Sequence, residues 1–271
     1  MRAFLALAAF FCALAVLPDA AVAQSAEEQG RIAWAEQRGQ LLYEVDRAAW
    51  VTTDDLAARV RDLAGAGIRG WTVERDGNFY LVVYYVGEGD ARAALYRGRV
   101  ENGRVVSGEV FAAGSRPALT PIQRRIADAR DAAARLDRQP CTEAHFNITV
   151  IPPENAEAPI DVYALTAQIQ DVYPFGGHFR MTVSPSGQIV AQRAFTNSCL
   201  NMPRQQNGHG QPAALVITHL LDPIPTEIHV FMSLSIGLPV YVGTANPQRI
   251  WSVEGSHIGL VQTPPGRPPH T

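Results

Sequence analysis

The sequence contains no lysine, so all 23 of its basic side chains other than histidine are arginine. Schiff-base catalysis, a P-loop for nucleotide phosphates and a Ser-Lys dyad each need a lysine amine. The absence of lysine excludes all three mechanisms. The net charge is −3, and acidic and basic residues are interspersed along the chain. The sequence therefore lacks the cluster of basic residues with which proteins bind nucleic acid. We therefore predict no nucleic-acid partner.

Long hydrophobic runs are scarce as well, and the most prominent one stands near the N-terminus. The run "AFLALAAFFCALAVL" follows Arg2, and the small residues "AVA" precede Gln24. About 15 apolar residues are too few for a typical membrane-spanning helix. A basic residue, an apolar stretch and a small-residue site are typical of a cleaved export signal. We predict that residues 1–23 are a signal peptide and that the mature chain has no transmembrane segment and is periplasmic or secreted.

Cysteine is rare, and removal of the predicted signal leaves only Cys141 and Cys199. An even number of cysteines in an exported protein favours a disulfide, because oxidising compartments form and keep such bonds. The alternative is that Cys199 is a nucleophile, which would need a neighbouring base. No signature of a cysteine hydrolase surrounds it. The sequence therefore predicts a Cys141–Cys199 bridge.

Catalytic motifs are also missing. The spacings H-E-x-x-H and C-x-x-C that identify many zinc sites do not occur. Neither "SLSIG" nor "GSHIG" completes the G-x-S-x-G elbow of serine hydrolases. The segment "GAGIRG" at 65–70 matches G-x-G-x-x-G, but it follows a predicted helix and precedes a predicted strand. A dinucleotide site needs the opposite order, so we interpret these glycines as a turn.

Composition divides the chain into two parts. Residues 24–138 contain 17 arginines and 17 acids, whereas residues 139–271 contain 5 arginines and 8 acids. Most of the prolines fall in the second part. We predict a charged α+β module over 24–138, a β-rich module with the disulfide over 139–262, and a disordered proline-rich tail over 263–271.

The first module is predicted to contain helices and an antiparallel meander. One helix is expected from Glu27 to Ala49, and a second is expected to begin at a capping box formed by Thr52 and Asp55. Four strand-like segments follow, separated by the turn sequences "DGN", "GEGD" and "NG". They are "GWTVER", "FYLVVYYV", "RAALYRGRV" and "RVVSGEVFA".

A third helix is predicted to close the first module, with Thr120 as its N-cap and Pro121 at its first position. Its apolar positions recur at spacings of four and three, at Ile122, Ile126, Ala129, Ala133 and Leu136. This stripe predicts packing on the module's own sheet. The alternative is a short coiled-coil seam, which would make a homodimer.

The second module is predicted to be rich in strands. Short apolar runs alternate with turn residues, and "SPSG" is typical of a hairpin. The segment "AALVITHLL" fits a short helix as well as a strand, and "EIHVFMSLS" is predicted as a strand. The fold class is therefore α+β: helices with a four-stranded antiparallel meander, followed by an antiparallel sheet, a sandwich or a partly open barrel.

The candidate site residues are histidines and acids of the second module. If "EIHVFMS" is a strand, Glu227 and His229 lie on one face about 7 Å apart, because strand side chains alternate with period two. His178 or His257 could complete an acid-base or zinc site with them. His178 is predicted to share its own strand face with Arg180 and Thr182. Two further acid-histidine neighbours are His219 with Asp222 and Glu254 with His257.

These patterns favour an exported, non-enzymatic protein without a cofactor that binds an envelope partner or a small ligand. The alternative is a hydrolase, with or without zinc, whose site lies in the second module and uses Glu227 and His229. A purely structural envelope protein is the third hypothesis. Convergence of the histidines on one point would favour the hydrolase.

Overall fold

A computed structural model of the protein describes residues 24–204 and 212–262. The predicted signal peptide at 1–23 and the predicted tail at 263–271 lie outside the described residues. The helices are α1 (Ala26–Arg59), α2 (Pro121–Ala134) and α3 (Glu227–Ile236). The α+β class predicted from the sequence is confirmed.

Fourteen strands are distributed over four separate sheets of the described residues. The strands are β1 (Ile68–Asp76), β2 (Phe79–Val86), β3 (Ala93–Glu101), β4 (Arg104–Val110), β5 (Asn147–Val150), β6 (Ile160–Leu165), β7 (Val172–Pro174), β8 (Phe179–Val183), β9 (Ile189–Ala194), β10 (Asn201–Pro203), β11 (Leu215–His219), β12 (Val240–Ala245), β13 (Gln248–Glu254) and β14 (His257–Leu260).

A single helix of 34 residues, α1, replaces the two helices predicted before the first strand. The predicted break at Thr52 is wrong. Thr52 is fully buried, and its hydroxyl donates to the carbonyl oxygens of Ala48 (2.7 Å) and Ala49 (3.0 Å) within the helix. A threonine that bonds back to the preceding turn continues a helix instead of capping a new one.

The meander is confirmed, with strand order β1-β2-β3-β4 and antiparallel pairing throughout. Gly65 and Gly67 of "GAGIRG" lie between α1 and β1, and Gly70 lies within β1. The segment therefore follows a helix and precedes a strand, which is the order that excludes a dinucleotide site. One face of the meander packs on α1, and the other contacts α2. Arg92, which is buried before β3, binds Asp128 (2.6 Å) and Asp131 (2.7 Å) of α2.

The N-terminus of α2 forms as predicted, with Thr120 accepting from the backbone N–H of Gln123 in a capping box and Pro121 at the first helical position. The predicted packing of its apolar stripe is wrong. The stripe joins a core made with the second module, which includes Val150, Val162 and Met181. Helix α2 lies between two sheets, and its own periodicity cannot tell which of them the stripe contacts.

The second module contains three sheets. Strands β5-β6-β8-β9 are antiparallel, and the predicted "SPSG" hairpin joins β8 to β9. The short strands β7 and β10 form a two-stranded ribbon. The last sheet has the order β11-β12-β13-β14 and is mixed, because β11 pairs with β12 in parallel. The ambiguous segment around Leu215 is therefore a strand.

The parallel pair is connected by α3, and here the predicted strand "EIHVFMSLS" is wrong. Thr226 caps the helix, and Gly237 ends it in the left-handed conformation with φ of 68°. Apolar residues occupy all sides of α3, which is buried from Glu227 to Ser233. A short segment that is apolar on every side has no period that separates a helix from a strand.

One hydrophobic core contains residues of both predicted modules. It includes Leu42 and Leu56 of α1, Tyr96 of the meander, Val230 of α3 and Trp251 of β13. The predicted bond between Cys141 and Cys199 is present. It joins the segment after α2 to the segment after β9. The module boundary near residue 138 stays a prediction.

Candidate functional site

Glu227 does not lie beside the imidazole of His229, because the two residues belong to a helix. The carboxylate of Glu227 is 1% exposed and accepts hydrogen bonds from Arg180 (2.7 Å) and from the hydroxyl of Tyr163 (3.2 Å). Arg38 of α1 donates to the same Tyr163 hydroxyl (3.2 Å) and forms an ion pair with Asp161. These side chains form a partly buried polar network that connects α1 and α3 to the sheet of β6 and β8.

The predicted face of β8 is present for two of its three residues. Arg180 reaches Glu227, and Thr182 donates to Asp161 (2.7 Å) on the same side of the sheet. His178 precedes the strand and is fully buried. Its Nδ1 accepts from the backbone N–H of Thr166 (3.2 Å), so its Nε2 donates to the carbonyl of Pro174 (2.8 Å). Burial lowers the pKa of His178 to about 4, which keeps the ring neutral.

His229 is also held in a structural role. Its Nδ1 accepts from the backbone N–H of Thr226 (2.9 Å), which completes the N-terminal cap of α3. Its ring stands edge-on to that of His219, with 4.7 Å between the ring centroids. Burial, with a smaller effect from His219, lowers the pKa of His229 well below its usual value.

The two other predicted acid-histidine pairs have different outcomes. His219 contacts Asp222 as predicted, at 2.7 Å, and Arg193 binds the same carboxylate at 2.6 Å. His257 is opposite Glu254 in the β13-β14 hairpin, but its Nδ1 contacts Glu36 of α1 at 3.0 Å. His257 is thus an exposed surface residue apart from the buried groups.

Within residues 24–204 and 212–262, no three side chains of histidine, cysteine, aspartate or glutamate are arranged to hold a metal ion. The four predicted candidates are Glu227, His229, His178 and His257. Glu227, His229 and His178 are hydrogen-bonded to different partners, and His257 lies at the surface. The four side chains therefore do not form one site.

A cleft of about 520 Å³ lies between α1 and α3. One stripe of α1 lines it with Tyr43, Asp46, Trp50 and Thr53, whose spacings of three and four place them on one helical face. Trp71 of β1 and the segment after β6 add to the wall. On the opposite side stand Phe231, Met232 and Ser235 of α3 and Arg204 after β10.

The position of the cleft follows from how the two helices cross. Gly39 of α1 lies against Val230 of α3, where a methyl group on the glycine would come within 2.5 Å of the valine Cβ. All residues that line the cleft from α1 follow Gly39, and all those from α3 follow Val230. The cleft therefore lies on the C-terminal side of the contact on both helices.

Asp46 supplies a fixed polar group in the cleft. Its Oδ1 accepts hydrogen bonds from the amide of Asn147 and from the hydroxyl of Thr149 (3.3 Å). Burial raises the pKa of the Asp46 carboxyl, and these hydrogen bonds oppose the shift. Perturbed carboxyls of this kind concentrate at functional sites.

The sequence analysis missed this cleft. Its lining residues come from six separate segments of the chain, and no motif connects them. The one local signal was the stripe that contains Tyr43, Asp46 and Trp50, in which a tryptophan shares a helical face with an acid.

No helix in the described part of the chain is both long and apolar enough to cross a membrane. Comparison with known proteins found no match: no family model, no curated protein and no solved structure is similar to this chain.

Proposed function

We propose that this chain is an exported, non-enzymatic protein that binds a small ligand in the cleft between α1 and α3. The observation that carries the proposal is the cleft itself. Its volume of about 520 Å³ falls within the range of about 300–1,000 Å³ that is typical of ligand sites. Such sites combine apolar walls with a few fixed polar groups, and this cleft has both.

The walls are suited to a flat or aromatic ligand. Trp50 is 63% exposed although it is a large apolar side chain, and Trp71 and Tyr43 line the same cleft. Aromatic rings in contact contribute about 0.5–1.5 kcal/mol beyond the area that they bury. Asp46, held by Asn147 and Thr149, would orient a polar group of the ligand.

Two observations support export to the periplasm or the exterior. The first 23 residues have the composition of a signal peptide. The Cys141–Cys199 disulfide is of a kind that persists in oxidising compartments.

The hydrolase alternative has weaker support. It requires Glu227 and His229 to act on one substrate, but Glu227 accepts from Arg180 and Tyr163, and His229 accepts from Thr226. These bonds give each group a structural role within the fold.

Binding of the neutral probe N-phenyl-1-naphthylamine, followed by its fluorescence, tests the proposal. We expect saturable binding and a loss of affinity of about tenfold in Trp50→Ala, which corresponds to about 1.4 kcal/mol. Trp34→Ala is the matched control, because Trp34 is a second exposed tryptophan of α1 that does not line this cleft. No saturable binding, or equal losses in both variants, would contradict the proposal.

A further inference from the structure

We propose that the ligand of this cleft is an amphipathic anion, with an apolar body against the tryptophans and a carboxylate-like or sulfonate-like group bound by Arg204. This inference rests on the proposed function of the cleft, and adds the charge of the ligand and the residue that recognises it.

The guanidinium of Arg204 is already oriented. One Nη donates to the side-chain oxygen of Gln168 at 3.0 Å, and the guanidinium carbon lies 4.8 Å from the ring centroid of Tyr173. The backbone N–H of Arg204 donates to the carbonyl of Asp171 (3.0 Å). A planar guanidinium that is held in place loses little freedom when it binds an anion.

Arg204 lines the cleft without a carboxylate partner among the described residues. Within the described residues, no acidic side chain forms an ion pair with it, and the segment "QQNGHGQ" that follows it contains no acid. Its Nε is shielded from solvent and has no hydrogen-bond partner there, a feature that it shares with Arg99, Arg116 and Arg130. Four other partly buried arginines contact a carboxylate, namely Arg38, Arg180, Arg193 and Arg249. Four more form no ion pair among the described residues, namely Arg116, Arg124, Arg125 and Arg130.

A second donor in the same cleft is also unused. The hydroxyl of Ser235 is shielded from solvent and finds no partner among the described residues. Buried polar atoms are normally hydrogen-bonded, and two of the seven unpaired ones among the described residues belong to residues that line this cleft. The Arg204 Nε–H and the Ser235 hydroxyl are both donors, and they reach a ligand oxygen once their side chains turn towards the cleft.

The charge of the cleft also favours an anion. Arg47 stands at its rim, stacked on Trp50 with 5.7 Å between the guanidinium carbon and the ring centroid. The cleft lining thus has two positive charges, on Arg47 and Arg204, and one carboxyl, that of Asp46. The Asp46 carboxyl already accepts hydrogen bonds from Asn147 and Thr149. Arginine binds planar carboxylate-like groups with two parallel hydrogen bonds, which are among the stronger ones in proteins.

Two probes with the same body test this inference. 8-Anilinonaphthalene-1-sulfonate differs from N-phenyl-1-naphthylamine only by its sulfonate. We expect the anionic probe to bind the native full chain about tenfold more tightly. Arg204→Gln is expected to weaken the anionic probe about tenfold and to leave the neutral probe within about twofold. Arg61→Gln is the control, because it makes the same change in net charge at an exposed position outside the cleft.

The outcomes separate the two proposals. If neither probe binds, the proposed function is wrong. If the neutral probe binds but the anionic probe binds no more tightly, or if Arg204→Gln weakens both equally, the anionic ligand is wrong and the cleft still stands. Should Arg204→Gln fail to fold by circular dichroism, Ser235→Ala provides the second test, with a selective loss for the anionic probe expected and an equal loss for both contradicting the inference.

Discussion

Gly39 of α1 and Val230 of α3 bring the two helices into backbone contact. A methyl group added to Gly39 would lie 2.5 Å from the Cβ of Val230 and 2.6 Å from the carbonyl oxygen of Glu227. Real Cβ atoms do not approach backbone so closely, so a side chain at this position would push the helices apart. The cleft begins on the C-terminal side of this contact, which makes Gly39 a determinant of its shape.

We predict that Gly39→Ala destabilises the protein although alanine is the better helix former. Overpacking costs about 1–3 kcal/mol, which outweighs a gain of up to about 1 kcal/mol from helix propensity. Gly30→Ala is the matched control, because Gly30 lies in the same helix with open space around its Cα, and we expect it to be neutral or stabilising. Urea unfolding of both variants measures the difference. Equal stability of the two would contradict the close contact.

The buried carboxylate of Glu227 depends on its cation. Arg180→Gln leaves a group that is 1% exposed without its ion pair, and breaking a buried pair costs about 3–5 kcal/mol. The side chain of Arg180 is itself 21% exposed, so we expect the lower end of that range. Denaturant unfolding of Arg180→Gln, Glu227→Gln and the double variant measures the coupling.

The double variant should cost less than the sum of the two single variants, because it leaves no unpaired charge. Arg69→Gln is the control, since the Arg69–Glu88 pair is exposed on both sides and such pairs contribute little. Additive losses would show that Glu227 and Arg180 are energetically independent.

The disulfide is expected to stabilise the fold substantially. Cys141 and Cys199 are 58 residues apart, and closing a loop of that length contributes about 4 kcal/mol in the loop-entropy model. The Cys141→Ala/Cys199→Ala variant should lose stability of that order. Intact mass after alkylation without reductant tests the bond first: two alkylated thiols in exported protein would contradict it.

Stability should fall as the pH drops from about 6.5 towards 4. His178 and His229 are neutral in the fold, with the pKa of His178 at about 4 and that of His229 also lowered, whereas unfolded histidine titrates near 6.5. The unfolded state therefore binds more protons in this window. As the pH falls, each histidine lowers the free energy of unfolding by up to about 1.4 kcal/mol per pH unit. The pKa of Asp46 is raised in the fold, so the folded state binds more protons at this group. Asp46 therefore raises the free energy of unfolding as the pH falls, which opposes the effect of the histidines.

Free energies of unfolding measured between pH 7 and 5 check this slope. His178→Gln should reduce this slope, because the variant lacks one of the two buried imidazoles whose pKa is lowered. A profile that stays flat between pH 7 and 5 would mean that the buried histidines are not neutral.

Local signals predicted much of the fold. The meander was predictable because its turns contain Gly and Asn between β-branched and aromatic runs, and α2 was predictable because Thr120 and Pro121 fix its start. Helix α3 was missed although Thr226 and Gly237 stand at its ends. It is short and apolar on every side, so its packing on α1 and β13 decides its state.

The site was less predictable than the fold. Glu227 was predicted as a partner of His229, whereas its carboxylate accepts from Tyr163, which is 64 residues away in the chain. Tyr163 in turn accepts from Arg38, which is 125 residues from it. The cleft likewise depends on the contact between α1 and α3. Tertiary contacts at such separations leave no periodic pattern in a single sequence.

The most direct test of the central claim is a crystal structure of the protein with 8-anilinonaphthalene-1-sulfonate bound. We predict electron density for the ring system between α1 and α3, in contact with Trp50 or Trp71. The sulfonate should lie about 2.7–2.9 Å from a nitrogen of Arg204, the distance of a charge-assisted hydrogen bond. Density only on the sheet of β11 to β14, where Val216 and Ile250 are exposed, or an empty cleft at saturating probe, would contradict the account.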